Sequence, residues 1–319
     1  MNATDVTRSR LASPTTVRIL RWGGPAVWVV AFVIFWLSRG LPLSRDMLVA
    51  WILLGLLAFS LTNVRGWMRS VVLEWLPFLA ILWVYDLLRG VADGLLLPAR
   101  ETPQIRVEAA LFGKPVPTVW LQEHFWHGAN HLHWWDYAAW FLHLTHFFAT
   151  FIAAAAIWVF AREKFSRYAA MICVLSLTGF ATYVLYPAVP PWMAAQQGNL
   201  GESNRMIGII WKHVPLADGG AVFEHGTGYA NDVAAMPSLH AAFALLLSLY
   251  LWQFAPRWLR PLLVLYPLAM ALALVYAGEH YAVDCIAGWC YAVVAFVGVN
   301  YVFARRAARV PAREPALAD

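Results

Sequence analysis

The feature that most limits the fold of this chain is a succession of eight long apolar runs. They lie at roughly 22–38, 46–62, 70–88, 137–160, 168–186, 237–254, 262–279 and 282–303. A helix crossing a bilayer needs about 20 mostly apolar residues, fewer where flanking side chains reach the interface. Backbone polar groups in hydrocarbon must be satisfied internally, and runs of this length do that as helices. The expected fold class is therefore all-α. It is a polytopic transmembrane helix bundle of about eight spans, a six-helix core plus N-terminal spans, with interfacial helices in the outer loops. Only 13% of the 319 residues are charged, against about a quarter in a soluble domain.

The formal charge of +5 does not indicate a nucleic-acid partner. The basic residues form short clusters between apolar runs, which is the pattern of membrane orientation. With a cytoplasmic N-terminus, the inner segments carry Arg8, Arg10, Arg18 and Arg21, then Arg65 and Arg69, then Arg162, Lys164 and Arg167. Arg257 and Arg260 follow, then Arg305, Arg306, Arg309 and Arg313, which makes fifteen of the 23 basic residues. Both termini are thus expected in the cytoplasm. Residues 1–21 read as a tail, 22–62 as a transmembrane hairpin, 63–304 as the membrane domain that holds the chemistry, and 305–319 as a second tail. The ends, about 1–16 and 307–319, read as disordered. Arg8 to Arg21 precede an apolar run with no small-residue cleavage site, as in a signal anchor. Three lysines against twenty arginines lean towards a bacterial plasma membrane. Cys173, Cys285 and Cys290 are odd in number and lie in apolar runs, so they read as packing residues.

Two long outer segments remain, about 89–136 and 187–236. The first is rich in aromatic residues and reads as short helices in the headgroup layer. The second opens with Tyr186-Pro187-Ala188-Val189-Pro190-Pro191-Trp192, whose prolines end the preceding helix. All ten histidines (124, 127, 131, 133, 143, 146, 213, 225, 240 and 280) fall on the outer side or in the outer half of a span. A histidine-based site therefore faces away from the cytoplasm. His124, His127, His131 and His133 have tryptophan neighbours and no Glu/Cys ligand pattern, so they read as interfacial anchors rather than a zinc site.

His280 and Asp284 fall on one helical face, one turn apart. An aspartate there can fix the imidazole tautomer and free the other ring nitrogen to attack. In Met236-Pro237-Ser238-Leu239-His240, Pro237 suits a first helical turn. From there the chain descends about 16 residues, turns near Pro256, and climbs about 17 to His280. At about 1.5 Å per residue the legs match, which brings His240 level with His280. Two helix N-termini then point into one outer pocket, a natural phosphate site. Two histidines and a phosphate site suit phosphoryl transfer, one imidazole attacking phosphorus and the other protonating the leaving oxygen.

PSLH, followed 40 residues later by HYAVD, resembles the second and third signatures of the type-2 phosphatidic acid phosphatase superfamily. The wider strings AAMPSLHAAFAL and GEHYAVDCIAGW, with PAVPPW upstream, are most similar to its inositol phosphorylceramide synthase-like (inositolphosphotransferase) branch. The resemblance spans about 183–300 and is weaker over 70–160, where YDLLRG and ALFGKPVPTVWLQ carry it. It implies that His280 is a nucleophile forming a phosphohistidine, that Asp284 orients it, and that His240 is the general acid–base, with no metal and no cofactor. It also implies a phospholipid donor and a lipid or glycolipid acceptor in the bilayer. The expected activity is transfer of a phosphoinositol-like headgroup at the outer leaflet. Hydrolysis of a lipid phosphate or polyprenyl pyrophosphate by the same three residues is the alternative, and a non-catalytic lipid-binding protein is a further one.

Two departures stand out. PAVPPW replaces the basic first signature of the superfamily's phosphatases, and Val275-Tyr276-Ala277-Gly278-Glu279 holds no arginine before His280. Phosphate neutralisation then falls to Arg89, Arg205 or Lys212. Ser238, Trp192, His143 and His146 are further candidates for substrate binding. Glu279, beside the nucleophile, could touch a substrate hydroxyl.

Overall fold

A computed structural model describes residues 13–39, 45–91, 97–214 and 232–309. No strand forms among the described residues, and the chain is a polytopic helix bundle. In chain order, α1 (Pro14–Arg39) and α2 (Arg45–Phe59) lead. A rod follows, made of α3 (Val64–Ser70), a π-helical segment (Val71–Trp75) and α4 (Leu76–Val91). The first long loop holds α5 (Pro103–Phe112) and α6 (Pro117–Phe125), each opened by a proline that has no N–H to leave unpaired. Next come α7 (Trp134–Phe160), α8 (Phe165–Leu185), α9 (Pro191–Gln196) and α10 (Met206–Trp211). The chain closes with α11 (Leu239–Leu251), α12 (Arg260–Tyr276) and α13 (Ala282–Ala308).

Helices from α4, α7, α8, α11 and α13 enclose one apolar core around Trp75, Phe165, Tyr168, Leu175, Leu246 and Tyr250. Of the leading pair, α2 joins this core through Leu48 and Leu56, and α1 lies outside it. α1 buries none of its residues and leans on α2 through Trp28, Phe32 and Phe35, whose rings lie 5.3 to 6.4 Å from that of Trp51. The remaining apolar surface of α1 is what a helix presents to lipid.

Among the described residues, five helical segments are long and apolar enough by themselves to cross a membrane: Pro14–Arg39, Val64–Tyr85, Trp134–Phe160, Arg162–Leu185 and Ala282–Ala308. The other three runs form α2, α11 and α12, of 15, 13 and 17 residues. Thirteen residues rise only about 20 Å, against a hydrocarbon core of about 30 Å. α11 is short because Pro237 and Ser238 belong to the site-bearing loop, and because Trp252 to Ala255 close a turn instead of continuing the helix. The tails also differ from expectation. Residues 14–16 already belong to α1 and 307–308 still belong to α13, while 1–12 and 310–319 lie outside the described residues.

Proline does what the sequence required of it after α8, which stops at Leu185. The extended PAVPPW segment then becomes the middle of a three-way stitch. Arg100 and Ala234 each form a parallel bridge with Ala188. The Ala188 N–H donates to the Val233 carbonyl at 2.7 Å, and the Ala235 N–H to the Ala188 carbonyl at 3.2 Å. The backbone just ahead of α11 is thereby fixed in extended form, and its next carbonyl is part of the site.

Candidate active site

The site is assembled where α12 ends and α13 begins. α12 closes with the two bonds of a Schellman motif. The Glu279 N–H donates to the Leu274 carbonyl at 3.1 Å and the Gly278 N–H to the Val275 carbonyl at 3.2 Å. Gly278 sits at φ +75°, a left-handed conformation that glycine adopts without steric cost. Three outer segments grip this turn. The Trp192 N–H donates to the Gly278 carbonyl at 3.2 Å, and the Met206 N–H to the Ala277 carbonyl at 3.1 Å. From α6, the buried Gln122 amide donates to the Tyr276 carbonyl at 2.8 Å and the Asn204 carbonyl at 3.0 Å. Its own carbonyl accepts the Asn204 N–H at 2.7 Å. One side chain therefore fastens the 203–205 loop to the turn that carries Glu279 and His280.

His280 emerges from this turn 5% exposed. Its Nδ1 lies 2.8 Å from the Ala235 carbonyl. A carbonyl only accepts, so Nδ1 carries the proton and Nε2 presents its lone pair. Asp284 Oδ2 is also close to Nδ1, at 3.8 Å. The tautomer is thus held first by a backbone carbonyl, with Asp284 as the adjacent charge. Asp284 is fully buried. Its Oδ2 accepts the Tyr281 N–H at 2.9 Å and its own carbonyl accepts the Ser238 N–H at 2.9 Å. It thereby fixes the start of α13 and ties it to α11.

His280 Nε2 faces His240 Nδ1 at 3.4 Å, as the matched helix lengths required. His240 belongs to a cluster. The His146 ring centroid lies 4.0 Å from that of His240, and the His143 ring stacks on it at 4.9 Å. The structure therefore brings together His143, His146, His240 and His280, from α7, α11 and the α12–α13 turn. Arg205 joins them at the mouth. Its guanidinium lies over the Trp192 ring at 4.7 Å, donates to Glu279 at 3.2 Å, and lies 3.6 Å from Asp232. Glu279, His280 and Arg205 all lie within electrostatic range of His143.

Other expectations are corrected. Ser238 is fully buried, and its hydroxyl accepts the Ala241 N–H at 3.3 Å as the cap of α11. Pro237 precedes that cap rather than opening the helix, and its carbonyl accepts the Tyr183 hydroxyl at 2.8 Å. The first turn of α13 is not open to an anion either, because Glu108 of α5 accepts the Val283 N–H at 2.8 Å. Lys212 is exposed at the end of α10. The side chain of Arg89 and the whole of His225 lie outside the described residues. His124 and His133 stack on Trp120 and Trp135 with centroids 4.4 and 4.3 Å apart. Among the described residues no three His, Cys, Asp or Glu side chains are grouped to hold a metal ion.

Sequence reasoning did not single out Gln122, Glu108 or the Ala235 carbonyl. A signal existed for the first, which ends the string ALFGKPVPTVWLQ. One existed for the second too, since Gln104 and Glu108 are a polar i, i+4 pair on a short apolar helix. A backbone carbonyl leaves none.

Comparison with known proteins matches this arrangement to a family. Residues 105–298, more than half of the chain, match the model of the PAP2 superfamily. A phosphoinositol dihydroceramide synthase of Bacteroides thetaiotaomicron is 28% identical over 156 residues, 44% of this chain and 47% of the relative. The inositol phosphorylceramide synthase catalytic subunit of Schizosaccharomyces pombe is 28% identical over 167 residues, 51% of this chain and 39% of the relative. That of Saccharomyces cerevisiae is 27% identical over 181 residues, 52% of this chain and 42% of the relative. The matches thus span less than half the length of these curated relatives. No solved structure matches.

Proposed function

Since the chain belongs to the PAP2 superfamily, we propose that it is a lipid phosphotransferase, moving a phosphoinositol-like headgroup from a phospholipid to a lipid hydroxyl by way of a phosphohistidine. One observation carries this reading: His280 Nδ1 donates to the Ala235 carbonyl at 2.8 Å, so in the neutral ring Nε2 is the nitrogen with the lone pair, and it faces His240 at 3.4 Å. The named relatives add the headgroup class, inositol phosphate on a ceramide-type acceptor.

The chemistry balances without a cofactor. His280 Nε2 attacks phosphorus, a P–N bond forms and the P–O bond to the diacylglycerol breaks. The departing oxygen takes a proton from His240. The acceptor hydroxyl then gives its proton to His240, its oxygen attacks phosphorus, and the P–N electron pair returns to Nε2. Asp284 beside His280 supports the positive charge that the ring carries while phosphorylated. Arg205 is the clamp for the phosphate oxygens, entering from the outer loop rather than from the residues before His280. By the charge bias of the loops, the site faces the extracytoplasmic side and both termini are cytoplasmic.

The test is to incubate the purified protein with labelled phosphatidylinositol, with and without a ceramide or diacylglycerol acceptor. A new phospholipid that forms only with acceptor supports transfer, and acid-labile label on the wild type but not on His280→Ala supports the intermediate. Release of free phosphate or inositol phosphate regardless of acceptor would replace transfer with hydrolysis. Undiminished turnover by His280→Ala would remove the nucleophile assignment.

A further inference from the structure

Behind the histidine cluster lies a second buried acidic group. Gln104 and Glu108 are the buried residues of α5, while Val107, Leu111 and Phe112 are exposed. Glu108 is fully buried and its Oε1 holds the Val283 N–H at 2.8 Å. Its Oε2 has no hydrogen-bond partner, and neither do both side-chain polar atoms of Gln104, the Tyr281 hydroxyl or Asp284 Oδ1. Unpartnered polar atoms in such a setting are rare and call for an explanation. Glu108 and Asp284 also lie within electrostatic range of each other and of Tyr281.

Two carboxyl groups in one desolvated corner do not both ionise. The environment decides which keeps the proton. Asp284 has the Tyr281 N–H at 2.9 Å and His280 Nδ1 at 3.8 Å, the ring that becomes cationic on phosphorylation. Glu108 has backbone N–H groups from the first turn of α13 and no cation. We propose that Glu108 is a positioning residue of the reaction: as a neutral carboxylic acid it fastens α5 to the first turn of α13 and leaves Asp284 as the lone anion behind His280. Burial pushes the Glu108 carboxyl up to about 7, with the Asp284 charge adding to the shift. The titratable groups facing it are Asp284, Tyr281 and Cys285, all from the start of α13, while its neighbour on α5, Gln104, is neutral. As pH rises through about 7, Glu108 ionises, sets a second negative charge beside Asp284 and loosens its hold on His280. The rate then falls on the alkaline side.

The kinetic test rests on the phosphotransfer reading. Glu108→Ala should lower kcat at least about tenfold while KM for the phospholipid stays within about twofold. The conservative Glu108→Gln mimics the neutral acid, so it should restore most of that loss and move the alkaline limb of the kcat profile up by a pH unit or more. Wild-type kcat in Glu108→Ala, or an unmoved alkaline limb in Glu108→Gln, overturns the proposal. If Glu108→Ala does not fold, the Glu108→Gln profile still decides. A second readout needs no turnover: infrared difference spectra recorded across pH. A protonated-carboxyl band titrating near pH 7 should appear in the wild type, titrate at lower pH in Asp284→Asn and be missing in Glu108→Gln. Absence of the band from the wild type, or its loss with Asp284→Asn, overturns the assignment. A wild type that turns over no phospholipid refutes the phosphotransfer reading, yet the band still tests Glu108.

Discussion

Gly278→Ala probes how tightly the long loops hold His280. A Cβ at position 278 would lie 2.5 Å from the Asn204 carbonyl oxygen, 3.0 Å from Ser203 Oγ and 3.1 Å from Gln122 Nε2. The first contact is with backbone, so the 203–205 loop or the turn must shift by at least about 0.9 Å to reach an ordinary separation of 3.4 Å. The left-handed φ of +75° adds about 1 kcal/mol for any residue with a Cβ. The displaced loop also strains the three hydrogen bonds of Gln122, each worth about 1 kcal/mol net. The sum is about 2–4 kcal/mol of stability. The effect on rate should be as large, because His280 lies two residues further along and a misplacement of about 1 Å can cost about a hundredfold. We therefore expect a 10- to 100-fold lower kcat in the labelled-phospholipid assay and a lower melting temperature by tryptophan fluorescence in detergent. Gly208→Ala is the control, since a Cβ there meets nothing within 4 Å. It should melt no lower than the wild type. A Gly278→Ala protein with wild-type kcat and wild-type melting would refute the view that the Gln122-held turn positions His280.

Two further perturbations address the mouth and the membrane. Arg205→Ala should raise KM for the phospholipid about 10- to 100-fold, the value of one charge-assisted contact to phosphate of about 1.5–3 kcal/mol. Arg205→Lys should restore little of it, because a lysine cannot reproduce the fork that stacks on Trp192 at 4.7 Å; an unchanged KM in Arg205→Ala would exclude the clamp. Cysteines at Leu200 and Trp258, in a chain relieved of Cys173, Cys285 and Cys290, should react with impermeant maleimide from opposite sides of a sealed vesicle. Reaction from one side would overturn the orientation.

What could be read from the sequence follows from which forces leave a residue-level trace. The thickness of hydrocarbon fixes how long an apolar run must be, so the helices of the bundle were legible, and the matched lengths leading from His240 to His280 placed two rings that do meet at 3.4 Å. The ends of those helices were less legible. α11 loses its first residues to a cap at Ser238, and hydropathy does not distinguish an apolar loop from an apolar helix. Arg205 was legible only as one of several candidates, because its position depends on Gln122, which holds the neighbouring Asn204 from 82 residues earlier in the chain. The Ala235 carbonyl was invisible, since any residue supplies the same group.

Glu108 is the instructive case. On a soluble protein, a short helix carrying Val107, Leu111 and Phe112 beside Gln104 and Glu108 would be docked with its apolar residues inward. Here the three apolar residues are exposed and the two polar ones are buried. Near hydrocarbon the outside of the protein is the apolar phase, and the interior next to a phosphate-handling site is the polar one, so the usual reading of a helix stripe inverts. A buried i, i+4 polar pair on an interfacial helix then marks the direction of the active site, and in this chain it leads to the first turn of the helix that carries Asp284.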